Sequence, residues 1–186
     1  MQLKNKWFSE KGKIYVARVI LLGLCLWWMV TIFGFSAATA TESSSLSDKI
    51  TQRIVIFMEP DFSNLSTERQ EELFNKVSFA VRKTGHFGEY AILGLFVGGF
   101  LLTFEVIGQN IKRIVYSEGF GILYAITDEV HQGFVDGRSP QMRDVLIDAV
   151  GFLLALLFMI LLILTHQMMK KNHGRENIHN KSVIKR

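Results

Sequence analysis

Long apolar runs alternate with short polar blocks along the chain. The apolar runs cover 19–35, 91–104 and 145–164, and a weaker run at 114–127 is interrupted by Glu118. A helix needs about 20 residues to cross the hydrocarbon core of a bilayer, so the two middle runs reach that length only if polar neighbours are included. We therefore predict an all-α fold, an integral membrane helical bundle with four transmembrane helices.

The predicted spans divide the chain into five parts. These are a basic N-terminus at 1–13, a first transmembrane helix at 14–35, an outer segment at 36–83, a core of three further spans at 84–164, and a basic tail at 165–186. Within the core we expect spans at 86–107, from 112 to 128 or beyond, and at 144–164.

The first apolar run has two possible interpretations. Lysines precede it and Ala38-Thr39-Ala40 follows it, an order that is also typical of a cleaved signal peptide. Its apolar core is longer than that of a usual signal peptide, which favours an uncleaved anchor.

Basic residues predict the orientation of the spans. They are concentrated in the N-terminus, at Lys112 and Arg113, and in the tail, and these three regions share one side of a four-span protein. By the positive-inside rule that side is the cytoplasm, although the outer segment also carries basic residues. We therefore expect a multi-pass protein of the cell membrane with both termini in the cytoplasm. Because the net charge of +4 comes largely from these clusters, it does not indicate nucleic-acid binding.

The outer segment is predicted to be partly helical. Residues 41–47 form a polar linker in this interpretation, after which Leu46, Ile50, Ile54 and Phe57 recur at helical spacing. Thr67 and Gln70 fit a capping box for a second amphipathic helix. Two helices on the outer membrane face and a small soluble cap explain this pattern equally well.

Polar and ionisable residues occupy the outer ends of the last three predicted spans. They are Lys83, His86, Glu89 and Tyr90 on the second span, Asp128, Glu129, His131 and Gln132 on the third, and Arg138, Asp144 and Asp148 after it. The spacing places each group largely on one helix face. Charges that face lipid are costly, so we expect these faces to turn inward and form a cleft at the outer leaflet.

Taken in order, these blocks resemble the VanZ family of bacterial membrane proteins. RKTGHFGEYAILG and ITDEVHQGFVDGRSPQMRDVLIDAVG contain a Lys-x-x-His-Phe-x-x-Tyr block, an Asp-Glu-x-His-Gln block, a Gly-Arg pair and a following Asp. The matching residues are Lys83, His86, Phe87, Tyr90, Asp128, Glu129, His131, Gln132, Gly137, Arg138 and Asp144. The resemblance covers 14–164. The family takes its name from an accessory protein that gives resistance to teicoplanin, which the resemblance does not automatically transfer to this chain.

Two functions and one purely structural role fit the cluster. A binding protein would hold membrane lipid, a lipid-linked cell-wall precursor or a lipoglycopeptide, with ligand contacts from Lys83, Tyr90, Gln132, Arg138 and Asp144. A membrane-embedded enzyme acting on a lipid-linked substrate would use acid–base chemistry, and its candidate catalytic residues are His86, Glu89, Asp128, Glu129 and His131. Lys83, Arg138 and Arg143 would then hold an anionic headgroup. Alternatively, the polar pairs only hold the helices together.

We predict no cofactor and no bound metal, but a metal-binding variant of the site stays open as an alternative, with ligands from His86, Glu89, Asp128, Glu129 and His131. The histidines and carboxylates are suitable ligand types, but the sequence has no dense motif such as HExxH. No serine or cysteine lies beside a histidine as an evident nucleophile, which disfavours acyl-enzyme chemistry.

Overall fold

Five α-helices account for most of residues 2–104 and 110–184, the parts of the chain that this computed structural model describes. The helices are α1 (Gln2–Ala37), α2 (Ala40–Met58), α3 (Thr67–Leu102), α4 (Asn110–Gln132) and α5 (Met142–Ile184), with a short 3-10 helix at Phe62–Asn64 between α2 and α3. These two ranges contain no strand. The all-α fold class is confirmed.

Three helices within these ranges are long and apolar enough to cross a membrane. They are Lys11–Ala37, Thr67–Leu102 and Met142–Leu162, which correspond to the first, second and fourth predicted spans. The third predicted span forms α4, but α4 is not among these candidates because Glu118 and the charged residues near its ends make it less apolar. The predicted end of the second span at 107 lies outside the described residues.

Small residues allow α3 and α5 to pack closely side by side. A Cβ on Gly94 would lie 2.6 Å from the carbonyl oxygen of Phe152, and one on Gly98 would lie 3.1 Å from Leu156 Cδ2. A Cβ on Gly151 would overlap the carbonyl oxygen of Phe87. The contact positions increase together along both helices, so α3 and α5 run parallel.

Helix α1 runs antiparallel to α3, and hydrogen bonds join the two helices at two positions along their length. The Arg18 guanidinium donates hydrogen bonds to the hydroxyl and the carbonyl oxygen of Thr103, at 3.1 and 2.7 Å. About ten residues further along α1, Trp28 Nε1 donates to the carbonyl oxygen of Glu89 at 2.8 Å. Ile32 of α1 is fully buried, so α1 contributes directly to the core of the bundle.

The core is apolar and is formed by residues of α1, α3, α4 and α5. Its buried members are Ile32, Tyr90, Leu93, Ala125, Val145, Phe152 and Leu156. Many other large apolar side chains remain exposed, among them Val30 of α1 and Leu154 and Leu161 of α5. Such continuous exposed apolar surface is unusual for a soluble monomer and is typical of helices that face lipid.

The outer segment is more helical than the sequence predicted. Residues 41–47 belong to α2 and are not a linker, because Thr39 and Glu42 form a capping box that starts the helix at Ala40. The capping box predicted at Thr67 is wrong. Ser66 caps α3 without a side-chain bond, and Gln70 donates instead to the carbonyl oxygens of Ser63 and Leu65.

Two further features of the outer segment differ from the sequence interpretation. The second outer helix and the second span form one continuous helix, α3. The buried side of α2 consists of Ser47, Thr51 and Val55, whereas its apolar stripe is exposed, with Phe57 at 87%. Of the two predicted arrangements, an exposed apolar stripe favours a helix lying on the membrane over a soluble cap.

Candidate functional site

The polar ends of α3, α4 and α5 meet at one end of the bundle, around a cavity of about 550 Å³. The last turn of α1, the first half of α2 and the loop after α4 complete its walls. Seven of the ten predicted site residues line this cavity, namely Lys83, His86, Glu89, Asp128, Gln132, Arg138 and Asp144. The structure therefore brings together side chains that are up to 61 positions apart in the chain.

The close contact between α3 and α5 positions the first part of the site. Gly151 of α5 lies against Phe87 of α3. Because Asp148 is about one turn before Gly151 and His86 directly precedes Phe87, this contact brings His86 close to Asp148. Lys83 Nζ forms an ion pair with Asp144 Oδ1, with side chains only 16% and 9% exposed. His86 lies between two carboxylates, with Nε2 3.9 Å from Asp144 Oδ2 and Nδ1 3.4 Å from Asp148 Oδ1.

A chain of hydrogen bonds connects α4 to the end of α1. Gln132 Nε2 donates to Asp128 Oδ2 at 3.3 Å, and Arg138 Nη1 donates to Gln132 Oε1 at 3.0 Å. Arg138 Nη2 then donates to the carbonyl oxygen of Phe35 at 3.2 Å. Ser36 Oγ also contacts the carbonyl oxygen of Asp128, at 3.4 Å. Asp128 and Gln132 are thus held in place from two sides.

The loop after α4 is ordered by bonds to both neighbouring segments. Glu129 Oε2 accepts the backbone N–H of Gln141 at 2.7 Å. Gly137 has a φ of +76°, a conformation that glycine adopts without steric cost, and it lies in a turn. The carbonyl oxygen of Asp136 accepts the N–H of Ala40 at 3.3 Å, which ties the loop to the start of α2.

Three predicted site residues do not line the cavity. Tyr90 is fully buried in the core, with its ring 6.0 Å from that of Tyr124. His131 stacks on Phe33, with ring centroids 4.2 Å apart. Glu129 is buried behind the cavity. Arg143, considered for holding an anionic headgroup, is exposed and lies outside the lining.

The sequence prediction left out several residues of the site. Asp148 was placed in the polar cluster but not among the candidate catalytic or binding residues, and the structure buries it fully beside His86. Arg82 and the α2 serines, such as Ser43 and Ser44, also line the cavity. Arg82 directly precedes Lys83 on α3. Nothing in the local pattern of the α2 serines marks them, because they reach the site only through the packing of α2 on α3.

Charges of both signs surround the cavity. Its carboxylates are Glu42, Glu89, Asp128 and Asp144, and its basic side chains are Arg82, Lys83, His86 and Arg138. At the rim, hydrogen bonds from the backbone and then the side chain of Thr39 hold the pKa of Glu42 below its ordinary value. Lys83 is already engaged by Asp144 and Arg138 by Gln132. The cavity is therefore suited to a ligand with both hydrogen-bond donors and acceptors, more than to a bare anion.

The arrangement supports two kinds of chemistry. An imidazole between two carboxylates can accept and release a proton, as a general base requires. Separately, His86, Glu129 and Asp148 each offer a ligand atom to a common point, and these atoms lie within 4.8 Å of one another. These three are the described residues that are grouped closely enough to hold a metal ion.

Comparison with known proteins gives one match. No curated protein and no solved structure matches this chain significantly. The family model described as VanZ/LLP1 matches residues 21–164, which is more than half of the chain and includes the whole polar cluster. The earlier resemblance is confirmed, and the chain belongs to the VanZ/LLP1 family.

Proposed function

We propose that the chain crosses the membrane four times, with both termini in the cytoplasm. The parallel directions of α3 and α5 support this topology, because α4 must return from the end of α3 to the start of α5. Helix α4 has 23 residues and is about 35 Å long, enough to cross the hydrocarbon core. Its charged residues other than Glu118 then lie near its ends, and Glu118 is partly buried.

In this orientation the cavity opens at the outer leaflet and binds a component of the cell envelope. The observation that carries this proposal is the cavity of about 550 Å³ with a polar floor and apolar rim residues such as Leu46, Ile50 and Phe79. A volume of this size is typical of small-molecule sites. It accommodates a sugar-bearing headgroup while the apolar rim contacts a lipid chain.

The ligand that fits best is a lipid-linked cell-wall precursor or a similar membrane lipid. Carboxylates and amides in the cavity can pair with the hydroxyl and amide groups of a sugar head. A whole lipoglycopeptide is too large to be enclosed in this volume. Lower susceptibility to teicoplanin would then be an indirect result of binding the envelope component, and it is the phenotype that we expect in a Gram-positive host.

The test compares teicoplanin susceptibility of cells expressing wild type, Ser43→Trp and Ser45→Trp at equal membrane levels. Ser43 lines the cavity, whereas Ser45 is exposed on the same helix and does not. We expect protection by wild type and by Ser45→Trp, and loss of protection when the Ser43→Trp side chain fills the cavity. Equal protection by all three proteins would contradict the proposed role of the cavity. No protection by wild type would contradict the teicoplanin phenotype.

A second candidate function is catalysis on the same lipid-linked substrate. The position of His86 between Asp144 and Asp148 favours it, because carboxylates that flank an imidazole stabilise its protonated form during acid–base catalysis. Mass spectrometry of envelope lipids would compare cells with wild type and His86→Gln. A product present only with wild type supports catalysis, and identical lipids in both strains support binding alone.

A further inference from the structure

Side chains from three helices converge behind the cavity floor. They are His86 of α3, Glu129 of α4 and Asp148 of α5, with ligand atoms within 4.8 Å of one another. Glu129 and Asp148 are 4% and 0% exposed. This convergence depends on tertiary packing, because the three residues are separated by many positions in sequence.

The atoms that face this point lack hydrogen-bond partners. Among the described residues, none donates a hydrogen bond to Asp148 Oδ2 or to Glu129 Oε1. His86 Nδ1 and Asp148 Oδ1 face each other at 3.4 Å, the distance of an ion pair when the imidazole is protonated, but they form no hydrogen bond. Burial of a carboxylate oxygen without a donor is costly. One imidazole therefore leaves two buried carboxylates incompletely compensated, and a cation between the three side chains would complete the arrangement.

The neighbouring contacts orient the three side chains toward the same point. Gln141 N–H occupies Glu129 Oε2, which leaves Oε1 free. His86 Nε2 faces Asp144, which is itself held by Lys83. In proteins, such outer partners orient the side chains that bind a metal. Here the partners are the Asp144 carboxylate near His86 Nε2 and the Gln141 N–H on Glu129 Oε2.

From these observations we infer that His86, Glu129 and Asp148 bind one divalent transition-metal ion, Zn²⁺ or Mn²⁺. One imidazole nitrogen and two carboxylate oxygens suit these ions better than Mg²⁺ or Ca²⁺, which prefer oxygen ligands alone. Tetrahedral bonds of about 2.0 Å require ligand atoms about 3.3 Å apart, so the side chains close in on the ion by small rotamer changes. The ion lies next to His86, which lines the cavity, and it ties α3, α4 and α5 together.

The first experiment measures metal in the purified full-length protein in detergent. The protein is stripped with a chelator, and Zn²⁺ and Mn²⁺ are then titrated separately by calorimetry, with bound metal counted by mass spectrometry. We expect about one ion per chain for wild type and a rise in unfolding temperature on loading. Asp148→Asn and Glu129→Gln should each lose at least about 10-fold in affinity, whereas Asp136→Asn, at an exposed loop carboxylate, should bind as wild type does.

A failure of the metal inference can be distinguished from a failure of the proposed function, since metal binding is measured on purified protein without any envelope ligand. Stripped wild type that stays monodisperse but takes up neither Zn²⁺ nor Mn²⁺ would overturn the inference, and so would tighter binding of Mg²⁺ or Ca²⁺. Unchanged affinity in both Asp148→Asn and Glu129→Gln would overturn the assignment of the ligands. If these variants do not fold, the wild-type titration and its unfolding temperature decide the question.

Discussion

The close approach of α5 to the backbone of α3 at Gly151 provides a direct test of the packing. Gly151 of α5 lies directly against the carbonyl oxygen of Phe87 on α3, where a Cβ has no space. Gly88, one position after Phe87, has nothing within 4 Å of an added Cβ. Gly151→Ala on α5 and Gly88→Ala on α3 therefore make the same chemical change at neighbouring places, one inside the contact between the two helices and one outside it.

The expected effects have opposite signs. Alanine stabilises a helix by about 1 kcal/mol relative to glycine, and only this term applies to Gly88→Ala. Overpacking costs about 1–3 kcal/mol, and the upper value applies at Gly151 because a backbone atom cannot move aside as a flexible side chain does. Gly151→Ala should therefore lose about 2 kcal/mol of unfolding free energy, taking about 3 for overpacking and about 1 for propensity.

Thermal unfolding in detergent, followed by tryptophan fluorescence, measures both changes. For a chain of this size about 1 kcal/mol shifts the midpoint by about 2–4 °C, so Gly151→Ala should melt about 4–8 °C lower than wild type. Gly88→Ala should melt slightly higher. If Gly151→Ala is as stable as Gly88→Ala, the close approach of α3 and α5 is incorrect, and so is the site geometry that depends on it.

Three further predictions follow from other contacts. Lys83→Met should destabilise the protein by about 3 kcal/mol, because it removes the closest cationic partner of the buried Asp144 and leaves only His86, 3.9 Å away. Lys83→Met combined with Asp144→Leu should recover part of this loss, and equal losses in the same melting assay would contradict a direct pair. The mature protein should retain the first span, because Ile32 belongs to the core; an intact mass that lacks the first span would contradict this. A fluorophore on Phe57→Cys should be quenched by brominated lipid and one on Ser47→Cys should not, whereas the reverse would place the buried side of α2 against lipid.

The sequence predicted the elements that depend on local pattern. Apolar runs and polar ends were sufficient for the all-α class and for three of the spans. The spacing of Lys83, His86 and Glu89 placed them on one helix face, and all three line the cavity. Their function remains a prediction.

Features that depend on tertiary packing could not be predicted from the local sequence pattern. Tyr90 shares the face of His86, yet it is one turn deeper and points into the apolar core. Helix periodicity does not specify that depth. The stacking of His131 on Phe33 depends on the position of α1, and the buried polar side of α2 depends on the surface of α3. An apolar stripe predicts a buried face, but in a membrane protein lipid can cover that stripe instead.

The length of α3 has a consequence for how a ligand reaches the site. The helix has 36 residues and is about 54 Å long, whereas the hydrocarbon layer is about 30 Å thick. The rise from Leu102 back to Lys83 is about 29 Å. With Leu102 at one edge of this layer, Lys83 lies at the other edge, and the first turns of α3 project into the headgroups and water. In the proposed topology the cavity would then span the boundary between the two phases, so that a lipid-anchored molecule could place its head in the site while its chains remain in the bilayer.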